Sequence, residues 1–321
     1  MTFVCSPSRF LQHSLDFMPI RYFLDSTFFR ACRLDAWLSW LIAFLTGTMA
    51  GVEKHALNPI QLLPPTVAFC LMTASIFIVN QCFDAEIDRS NGLKNNLPIA
   101  SGEISSKTGW LLSLSLIISS VILSTFVRQI FQTLILLYFL IWLAYSHPKV
   151  HLKSKPVIDL VIAGIGAGFI PFLAGWSISS QSLSFPTFLG LTFLVAQAGG
   201  HTLHIAGDRE ADQLVGLNTS AVRFGGRVVS RWGFIFFLFS LMLFVISALR
   251  REIPLLLAVV PVIVLPVATP TILRYIAVIQ GCTHKPSEFK EMRNAIVKLQ
   301  ICFLAAYAPA LVVLSLWHPN Y

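Results

Sequence analysis

Apolar and polar positions follow one another along the chain in long blocks, and nine apolar blocks have the length of membrane-spanning helices. A spanning helix needs roughly 20 mostly apolar residues, and each block comes close to that length. The pattern therefore predicts an all-α membrane protein, a bundle of about nine transmembrane helices. The predicted spans are 36–53, 64–80, 108–126, 129–147, 157–176, 184–203, 230–249, 254–275 and 296–317.

Composition supports this prediction. Of the 321 residues, 55% are hydrophobic and 12% are charged, whereas a soluble domain usually carries about 25% charged residues. An apolar surplus of this size cannot be buried in one water-facing domain, so lipid must cover much of the surface. The net charge of +8 suits nucleic acid or anionic lipid. The placement of the charges favours membrane lipids, and no nucleic-acid partner is expected.

The basic residues lie mainly on one side of the predicted bundle. The N-terminal side holds 19 of the 23 Lys and Arg residues. Since short cytoplasmic loops are enriched in Lys and Arg, we expect the N-terminus and the long loops on the cytoplasmic side and the C-terminus outside. Residues 1–35 lack the apolar core of a signal peptide and form a predicted cytoplasmic or interfacial segment. The nine-helix domain follows over 36–321.

Acidic residues are concentrated after the second and the sixth predicted spans, where seven of the 15 occur. In the first cluster, Asn80, Asp84 and Asp88 are four positions apart, so they share one face of a helix. In the second cluster, Asp208 and Asp212 have the same spacing. The clusters stand four spans apart, which suggests two pseudo-repeated four-helix units followed by a ninth helix.

The carboxylate spacing indicates a cation site. Like charges at i and i+4 destabilise a helix, and their position at the membrane adds to the cost. A bound cation removes that cost. Oxygen ligands without a cysteine or tight histidine cluster suit Mg²⁺, which takes one or two carboxylates together with water and phosphate oxygens. The two clusters therefore predict a cradle for a Mg²⁺-bridged diphosphate, although carboxylates at a helix end can also merely solvate the interface.

Two further features of the same side are candidates for substrate contacts. Segment 97–102 reads Leu-Pro-Ile-Ala-Ser-Gly, and its turn and capping residues suggest an ordered lid over the cradle. Basic residues could neutralise the remaining phosphate charge, but the positive-inside bias alone also places them here. The basic candidates are Lys94, Lys149, Lys153, Lys155, Arg223 and Arg227.

These motifs resemble the signatures of the UbiA superfamily of intramembrane prenyltransferases. Segment 80–88 (Asn-Gln-Cys-Phe-Asp-Ala-Glu-Ile-Asp), with the Leu-Pro pair at 97–98, is most similar to the homogentisate prenyltransferase branch. Segment 208–225 resembles the second acidic signature, and segment 145–153 resembles the loop motif between spans four and five. One departure is His204, followed by Ile, where many homogentisate-type members carry a Lys-Asp pair.

The resemblance implies Mg²⁺-dependent transfer of an isoprenoid chain from a prenyl diphosphate to an aromatic acceptor of the homogentisate or hydroxybenzoate type. Charge on the leaving diphosphate would be neutralised by metal and by Lys153. His204 would contact the acceptor or take a proton, or serve only as a hydrogen-bonded helix-end residue. The implied metal ligands are Asn80, Asp84, Asp88, Asp208 and Asp212, of which the four carboxylates and Lys153 are the catalytic candidates. Further substrate-binding candidates are Lys94, Ser101, Tyr145 and Arg223, besides Asn80 and His204.

Other functions remain open at this point. A UbiA-like terpene cyclase would ionise the same donor without an acceptor, and the chain could instead go to a non-aromatic lipid acceptor. A transporter or channel would need ionisable groups near the membrane midplane. Asp159 is the one acidic residue that lies well inside a predicted span.

Overall fold

The predicted helical architecture is present throughout the described part of the chain. A computed structural model describes residues 26–52, 59–90, 92, 94–179 and 185–253, with scattered positions between 258 and 305. Within these ranges all regular secondary structure is helical. The predicted eighth and ninth spans lie largely outside the described residues, so the count of nine stays a prediction.

Seven predicted spans coincide with helical segments. In chain order the helices are α1 (Thr27–Cys32), α2 (Leu38–Val52), α3 (Leu63–Ser90), α4 (Ser106–Ser124), α5 (Gln129–Ser146), α6 (Ile158–Gly164), α7 (Ile170–Ser179), α8 (Thr187–Leu214), α9 (Ser220–Phe224) and α10 (Gly226–Leu249). Helices α3 and α8 continue well past their apolar part. Their polar C-terminal turns carry the two acidic clusters, which are therefore held on rigid helices rather than on loops.

The surface of the bundle is suited to lipid. Large apolar side chains are exposed on α4 and α10, among them Leu114, Ile118, Leu238 and Val245. Exposed apolar surface on this scale marks a membrane-facing protein. The segments long and apolar enough to cross a membrane are Ile60–Ser90, Ser106–Ser124, Gln129–Ser146, Ile158–Ile178 and Gly226–Leu249, with Leu38–Gly51 as a shorter apolar helix. The chain is therefore an integral, multi-pass membrane protein.

Small residues let neighbouring helices approach closely. Helix α2 packs along α7, α3 along α4, and α8 along α10. At the first of these contacts, a methyl group added to Gly175 would overlap the carbonyl of Phe44, and one added to Gly47 would overlap the carbonyl of Phe172. Backbone contact of this kind is typical of helix pairs in membranes, where glycine replaces bulk apolar packing.

Helices α6 and α7 form one membrane span that is interrupted by a π turn, Ile165–Phe169. Such turns widen a helix locally and often occur at functional sites. Gly166 in this turn lies against the indole ring of Trp142, and Ala163 and Ala167 face a central cavity. The turn therefore shapes one wall of that cavity.

The end of the N-terminal segment is part of the bundle. Residues 1–25 lie outside the described residues, but α1 packs against α3 with Ala31 and Cys32 buried. Gln81 Nε2 donates a hydrogen bond to the carbonyl of Ala31 at 2.7 Å, and Trp37 Nε1 donates one to that of Cys32 at 2.9 Å. These contacts hold Arg33, which follows α1, at the rim of the cavity.

Candidate active site

A cavity of about 260 Å³ lies where the C-terminal turns of α3 and α8 meet. Its lining has two parts. The first, here called the ionic cradle, consists of Asn80, Asp84, Asp88, Lys94, Lys153, Asp208 and Asp212; the second, the aromatic wall, consists of Trp40, Phe77, Trp142 and Tyr145. Both acidic clusters and both lysines therefore converge on one site, although they come from four separate segments of the chain.

The first half of the cradle is the last part of α3. Because about four residues make one helical turn, Asn80, Asp84 and Asp88 follow one another along the cavity-facing side, whereas Glu86 is exposed on the opposite side. Asn80 Nδ2 donates hydrogen bonds to Asp84 Oδ2 at 2.9 Å and to Ser146 Oγ at 3.1 Å. Asn80 thus orients the Asp84 carboxylate and ties α3 to the end of α5.

The second half is the last part of α8. Asp208 and Asp212 line the cavity one turn apart, while Glu210 between them is exposed. Thr219 Oγ1 donates a hydrogen bond to Asp212 Oδ2 at 3.4 Å and accepts one from Val222 N, which caps the start of α9. Thr219 therefore connects the acidic turn of α8 to the loop that follows it.

A lysine from a loop neutralises one carboxylate in each half. Lys153 Nζ forms an ion pair with Asp84 Oδ1, and only 10% and 13% of the two side chains are exposed. Lys94 Nζ lies 2.8 Å from Asp208 Oδ2. Burial lowers the pKa of Lys94, but the Asp208 and Asp88 carboxylates outweigh burial and hold it above its usual value. Each ammonium group therefore compensates the negative charge of a carboxylate in the free protein.

The cradle fits Mg²⁺ that is shared with a substrate. Among the described residues, no three carboxylate, imidazole or thiol groups lie close enough to form a complete metal site. Mg²⁺ usually takes only one or two protein carboxylates and completes its octahedron with water and substrate phosphates. The oxygen ligands available on each helix therefore suit a metal ion that arrives with a phosphorylated substrate.

Two histidines of α8 also line the cavity. Tyr145 Oη and His201 Nε2 share a hydrogen bond of 3.1 Å, which joins α5 to α8. The ring of His204, the next turn of α8, is centred 6.4 Å from that of His201. His201 and His204 line the cavity, so two imidazole rings that can donate or accept hydrogen bonds lie at its wall.

The aromatic wall is built on a stacked indole pair. The rings of Trp40 and Trp142 are centred 4.6 Å apart with 12° between their planes. Phe77 packs against Trp40, and Tyr145 packs against Trp142. Behind this layer lie fully buried rings, among them Phe69. The wall is therefore rigid, apolar and rich in π-electrons.

Some predicted site residues do not reach the cavity. The Ser101 hydroxyl contacts Glu103 Oε1 at 3.2 Å, and Glu103 is bound by Arg30 of α1 at 2.8 Å. Segment 97–102 is ordered, with Ile99 buried in a cluster with residues of α3 and α4, yet none of its residues lines the cavity, and only Lys94, which precedes it, does so. Arg223 lies exposed at the end of α9, and the other exposed basic candidates are Lys149, Lys155 and Arg227.

Several lining residues have no signal in the sequence patterns. Arg33 stacks over the Phe77 ring at 5.5 Å from its centroid. Ser39 Oγ donates a hydrogen bond to Gln197 Oε1 at 3.3 Å, and both residues line the cavity. Ser146 is the exception, because it directly follows Tyr145 within the loop motif of segment 145–153. The others lie inside apolar spans or in the N-terminal segment, where no spacing marks them.

Comparison with known proteins identifies the family. The sequence profile of the UbiA prenyltransferase family matches residues 40–276, which include the complete ionic cradle. This chain belongs to the UbiA prenyltransferase family. It is an enzyme of the prenyltransferase class, as the resemblance of its motifs implies.

Two curated relatives of the chain carry different names. A 4-hydroxybenzoate octaprenyltransferase of Francisella tularensis subsp. novicida is 28% identical over 207 residues, which are 64% of this chain and 71% of that protein. A decaprenyl-phosphate phosphoribosyltransferase of Mycolicibacterium smegmatis is 28% identical over 203 residues, which are 62% of this chain and 60% of that protein. The similarity extends to proteins with different acceptors.

Solved structures of UbiA homologues share the fold. The homologue from Aeropyrum pernix K1 matches with a TM-score of 0.72 at 18% identity, over 87% of this chain and 99% of that one. A homologue from Archaeoglobus fulgidus, solved with geranyl diphosphate and Mg²⁺, matches with a TM-score of 0.65 at 20% identity, over 87% of this chain and 100% of that one. The helical arrangement is thus that of the UbiA fold.

Proposed function

We propose that this enzyme transfers an isoprenoid chain from a prenyl diphosphate to an aromatic acceptor within the membrane, with Mg²⁺ as cofactor. The observation that carries this proposal is that the ionic cradle and the aromatic wall line one and the same cavity. A diphosphate head fits the first and an apolar chain fits the second. The Archaeoglobus homologue, which binds geranyl diphosphate with Mg²⁺, supports the assignment of the donor.

The cradle residues bind the head of the donor. Asn80, Asp84, Asp88, Asp208 and Asp212 would hold the metal. A bound Mg²⁺ supplies Lewis-acid stabilisation to the departing diphosphate. Lys153 and Lys94, each paired with an aspartate in the free protein, would bind phosphate oxygens of the donor instead. Their positive charge would then lie where negative charge develops on the diphosphate as the bond between its oxygen and the isoprenoid carbon breaks.

The aromatic wall surrounds the allylic cation that forms when the isoprenoid chain separates from the diphosphate. An allylic cation survives only where water is excluded, and Trp40, Phe77 and Trp142 line the cavity beside the cradle with apolar surface. The faces of aromatic rings also attract positive charge, by about 0.5 to 2 kcal/mol per contact. The stacked indoles therefore stabilise the cation without reacting as bases.

The acceptor binds between the two parts of the cavity. Tyr145 and His201 share a hydrogen bond there and can orient a hydroxyl group, while His204 can take the proton that the attacked ring releases. Support for an aromatic acceptor comes from the Francisella relative, which is named as a 4-hydroxybenzoate octaprenyltransferase. A flat ring also packs well against Trp142 and Tyr145.

A second candidate is a reaction with a polyprenyl phosphate as acceptor. It is favoured by the Mycolicibacterium relative, whose name states phosphoribosyl transfer to decaprenyl phosphate. In that case the cradle would bind the diphosphate of a sugar donor, and the aromatic wall would bind the isoprenoid chain of the acceptor. The same residues serve both reactions, so only substrate tests separate them.

The membrane arrangement that accompanies this function is nine helices in two pseudo-repeated four-helix units plus one. The cradle loops and the N-terminus lie on the cytoplasmic side and the C-terminus outside. Support comes from the bias of Lys and Arg towards that side and from the convergence of the 94, 153 and 219 loops on one end of the bundle. A cytoplasmic site gives soluble diphosphates and phenolic acids direct access.

The test is a substrate matrix with membranes that contain the enzyme and Mg²⁺. Radiolabelled geranyl, farnesyl, geranylgeranyl and phytyl diphosphates are each offered with and without phenolic acids, quinone precursors and lipid acceptors, and phosphoribosyl diphosphate is offered with a polyprenyl phosphate. Product only with an aromatic acceptor, and none with Asp84→Asn, supports the proposal. Product without any acceptor indicates a terpene cyclase, and ribosylated lipid indicates the second candidate; either result overturns the aromatic assignment.

A further inference from the structure

Asp159 is a buried acidic residue that the reaction described above does not use. It lies in the first turn of α6, its side chain is fully buried, and it does not line the cavity. Its carboxylate accepts three hydrogen bonds: from Leu160 N at 2.9 Å, from Ser220 N at 2.7 Å and from Ser220 Oγ at 2.5 Å. These contacts satisfy a charge that would be very costly to bury without partners.

The Asp159–Ser220 contact belongs to a network of hydrogen bonds between two segments, here called the interlock. One loop, residues 151–157, carries Lys153; the other, residues 215–219, follows the acidic turn of α8. Val157 N donates to Ser220 Oγ at 2.7 Å, and Asn218 N donates to Ser154 Oγ at 2.9 Å. Segments about 60 residues apart in sequence are thereby joined by four hydrogen bonds, and Asp159 or Ser220 takes part in three of them.

The Lys153 loop is held in a strained conformation. His151 and Val157, at its two ends, have positive φ angles of 48° and 70°. A β-branched residue such as Val157 almost never adopts this conformation. Strained residues of this kind cost roughly 1 to 3 kcal/mol each and persist only where the surrounding structure fixes them. The hydrogen bond from Val157 N to Ser220 Oγ is the fixing contact at one end.

The interlock connects the two halves of the cradle. On one side, the loop between the strained residues directs Lys153 onto Asp84 of α3. On the other side, Thr219 directly precedes Ser220 and binds Asp212 of α8. A continuous path therefore runs from Asp84 through Lys153, the interlock and Thr219 to Asp212, and this path does not involve a bound ligand.

We propose that Asp159 is a positioning residue: by binding Ser220 it fastens the Lys153 loop to the loop after α8 and so sets the separation of the two halves of the cradle. The inference rests on the proposed function, in which the carboxylates of α3 and those of α8 bind the same diphosphate. Asp159 touches no reacting atom and is not part of an ion path. Its effect on catalysis passes through Lys153 and Asp212.

The structure provides a matched set of variants. Asp159→Asn keeps the size of the side chain but replaces one acceptor oxygen by a donor. Ser220→Ala removes only the hydroxyl that binds Asp159 and Val157. Ser120→Ala is the control, because Ser120 is also fully buried and also joins two segments, through a 2.7 Å hydrogen bond to the carbonyl of Ala68, but lies away from the cavity.

Two measurements on the purified full chain test whether Asp159 positions the two halves of the cradle. The first is hydrogen–deuterium exchange without ligand, in peptides covering 151–158 and 216–221. The second is the dissociation constant of geranyl diphosphate in the presence of Mg²⁺. Asp159→Asn and Ser220→Ala should speed exchange in both peptides together and weaken binding at least tenfold. Ser120→Ala should leave both peptides unchanged and binding within twofold.

The outcomes separate this inference from the proposed function. Faster exchange in one peptide alone, or wild-type affinity in a folded Ser220→Ala variant, overturns the positioning role. If Asp159→Asn does not fold, the exchange and binding results for Ser220→Ala alone test the positioning role. Failure of the wild-type chain to bind the diphosphate refutes the cradle instead, and the exchange comparison without ligand still decides whether Asp159 fastens the two loops.

Discussion

Replacement of Lys153 by methionine tests whether the cradle lysines stabilise the buried carboxylates when no metal ion is bound. The variant keeps an unbranched side chain, one atom shorter, but leaves the Asp84 carboxylate, which is only 13% exposed, without its ammonium partner. Loss of one member of a buried ion pair costs about 3 to 5 kcal/mol. At about 2 °C per kcal/mol for a chain of this size, the apparent Tm in EDTA should fall by about 6 to 10 °C.

The assay is thermal unfolding in detergent, with and without Mg²⁺ and pyrophosphate. Lys155→Met is the matched control, because Lys155 has the same charge two residues away but is exposed. The double variant Asp84→Asn/Lys153→Met should recover most of the lost stability, since no unpaired charge is left. Added Mg²⁺ and pyrophosphate should stabilise Lys153→Met more than they stabilise the wild type. Equal Tm values for Lys153→Met and Lys155→Met in EDTA would refute the reasoning.

Further predictions concern the apolar part of the cavity. Trp142→Ala removes half of the stacked indole pair and should raise the ratio of kcat/KM for farnesyl over geranyl diphosphate by about tenfold, a gain of roughly 1.4 kcal/mol from extra buried chain; an unchanged ratio contradicts the role of the wall. Gly200 lines the cavity and has open space beside it, so Gly200→Ala should keep the wild-type Tm and raise the KM of the acceptor, and a lower Tm would contradict that placement. Gly175→Ala forces a methyl group into the backbone of α2 and should lower the Tm by several degrees, whereas a wild-type Tm would mean that these helices are not in contact.

The sequence predicts features that depend on local periodicity. The fourth predicted span, 129–147, agrees with α5 to within one residue at its C-terminal end, because a uniformly apolar run can satisfy its backbone in lipid only as a helix. The four-residue spacing of Asp84 and Asp88 likewise fixes their common face. Local rules decide both features.

Features that depend on how segments meet in space could not be predicted. Lys153 and Lys155 look equivalent in the sequence, yet the strained loop buries one and exposes the other. Its place in an apolar span makes Asp159 a candidate for an ion path, and only the structure shows that Ser220, 61 positions away, binds its carboxylate. The Trp40–Trp142 stack joins two different spans in the same way. No spacing along the chain marks such contacts.

The central claim is that the acidic C-terminal turns of α3 and α8 together bind one Mg²⁺-bound diphosphate. Measurement of diphosphate binding tests this claim most directly. Dissociation constants of geranyl diphosphate are measured for the wild type, Asp84→Asn and Asp212→Asn, each in Mg²⁺ and in EDTA. The account predicts tight binding by the wild type in Mg²⁺ alone and a large loss in both folded variants, one from each half. Equal affinity in Mg²⁺ and EDTA, or wild-type affinity in either variant, would contradict it.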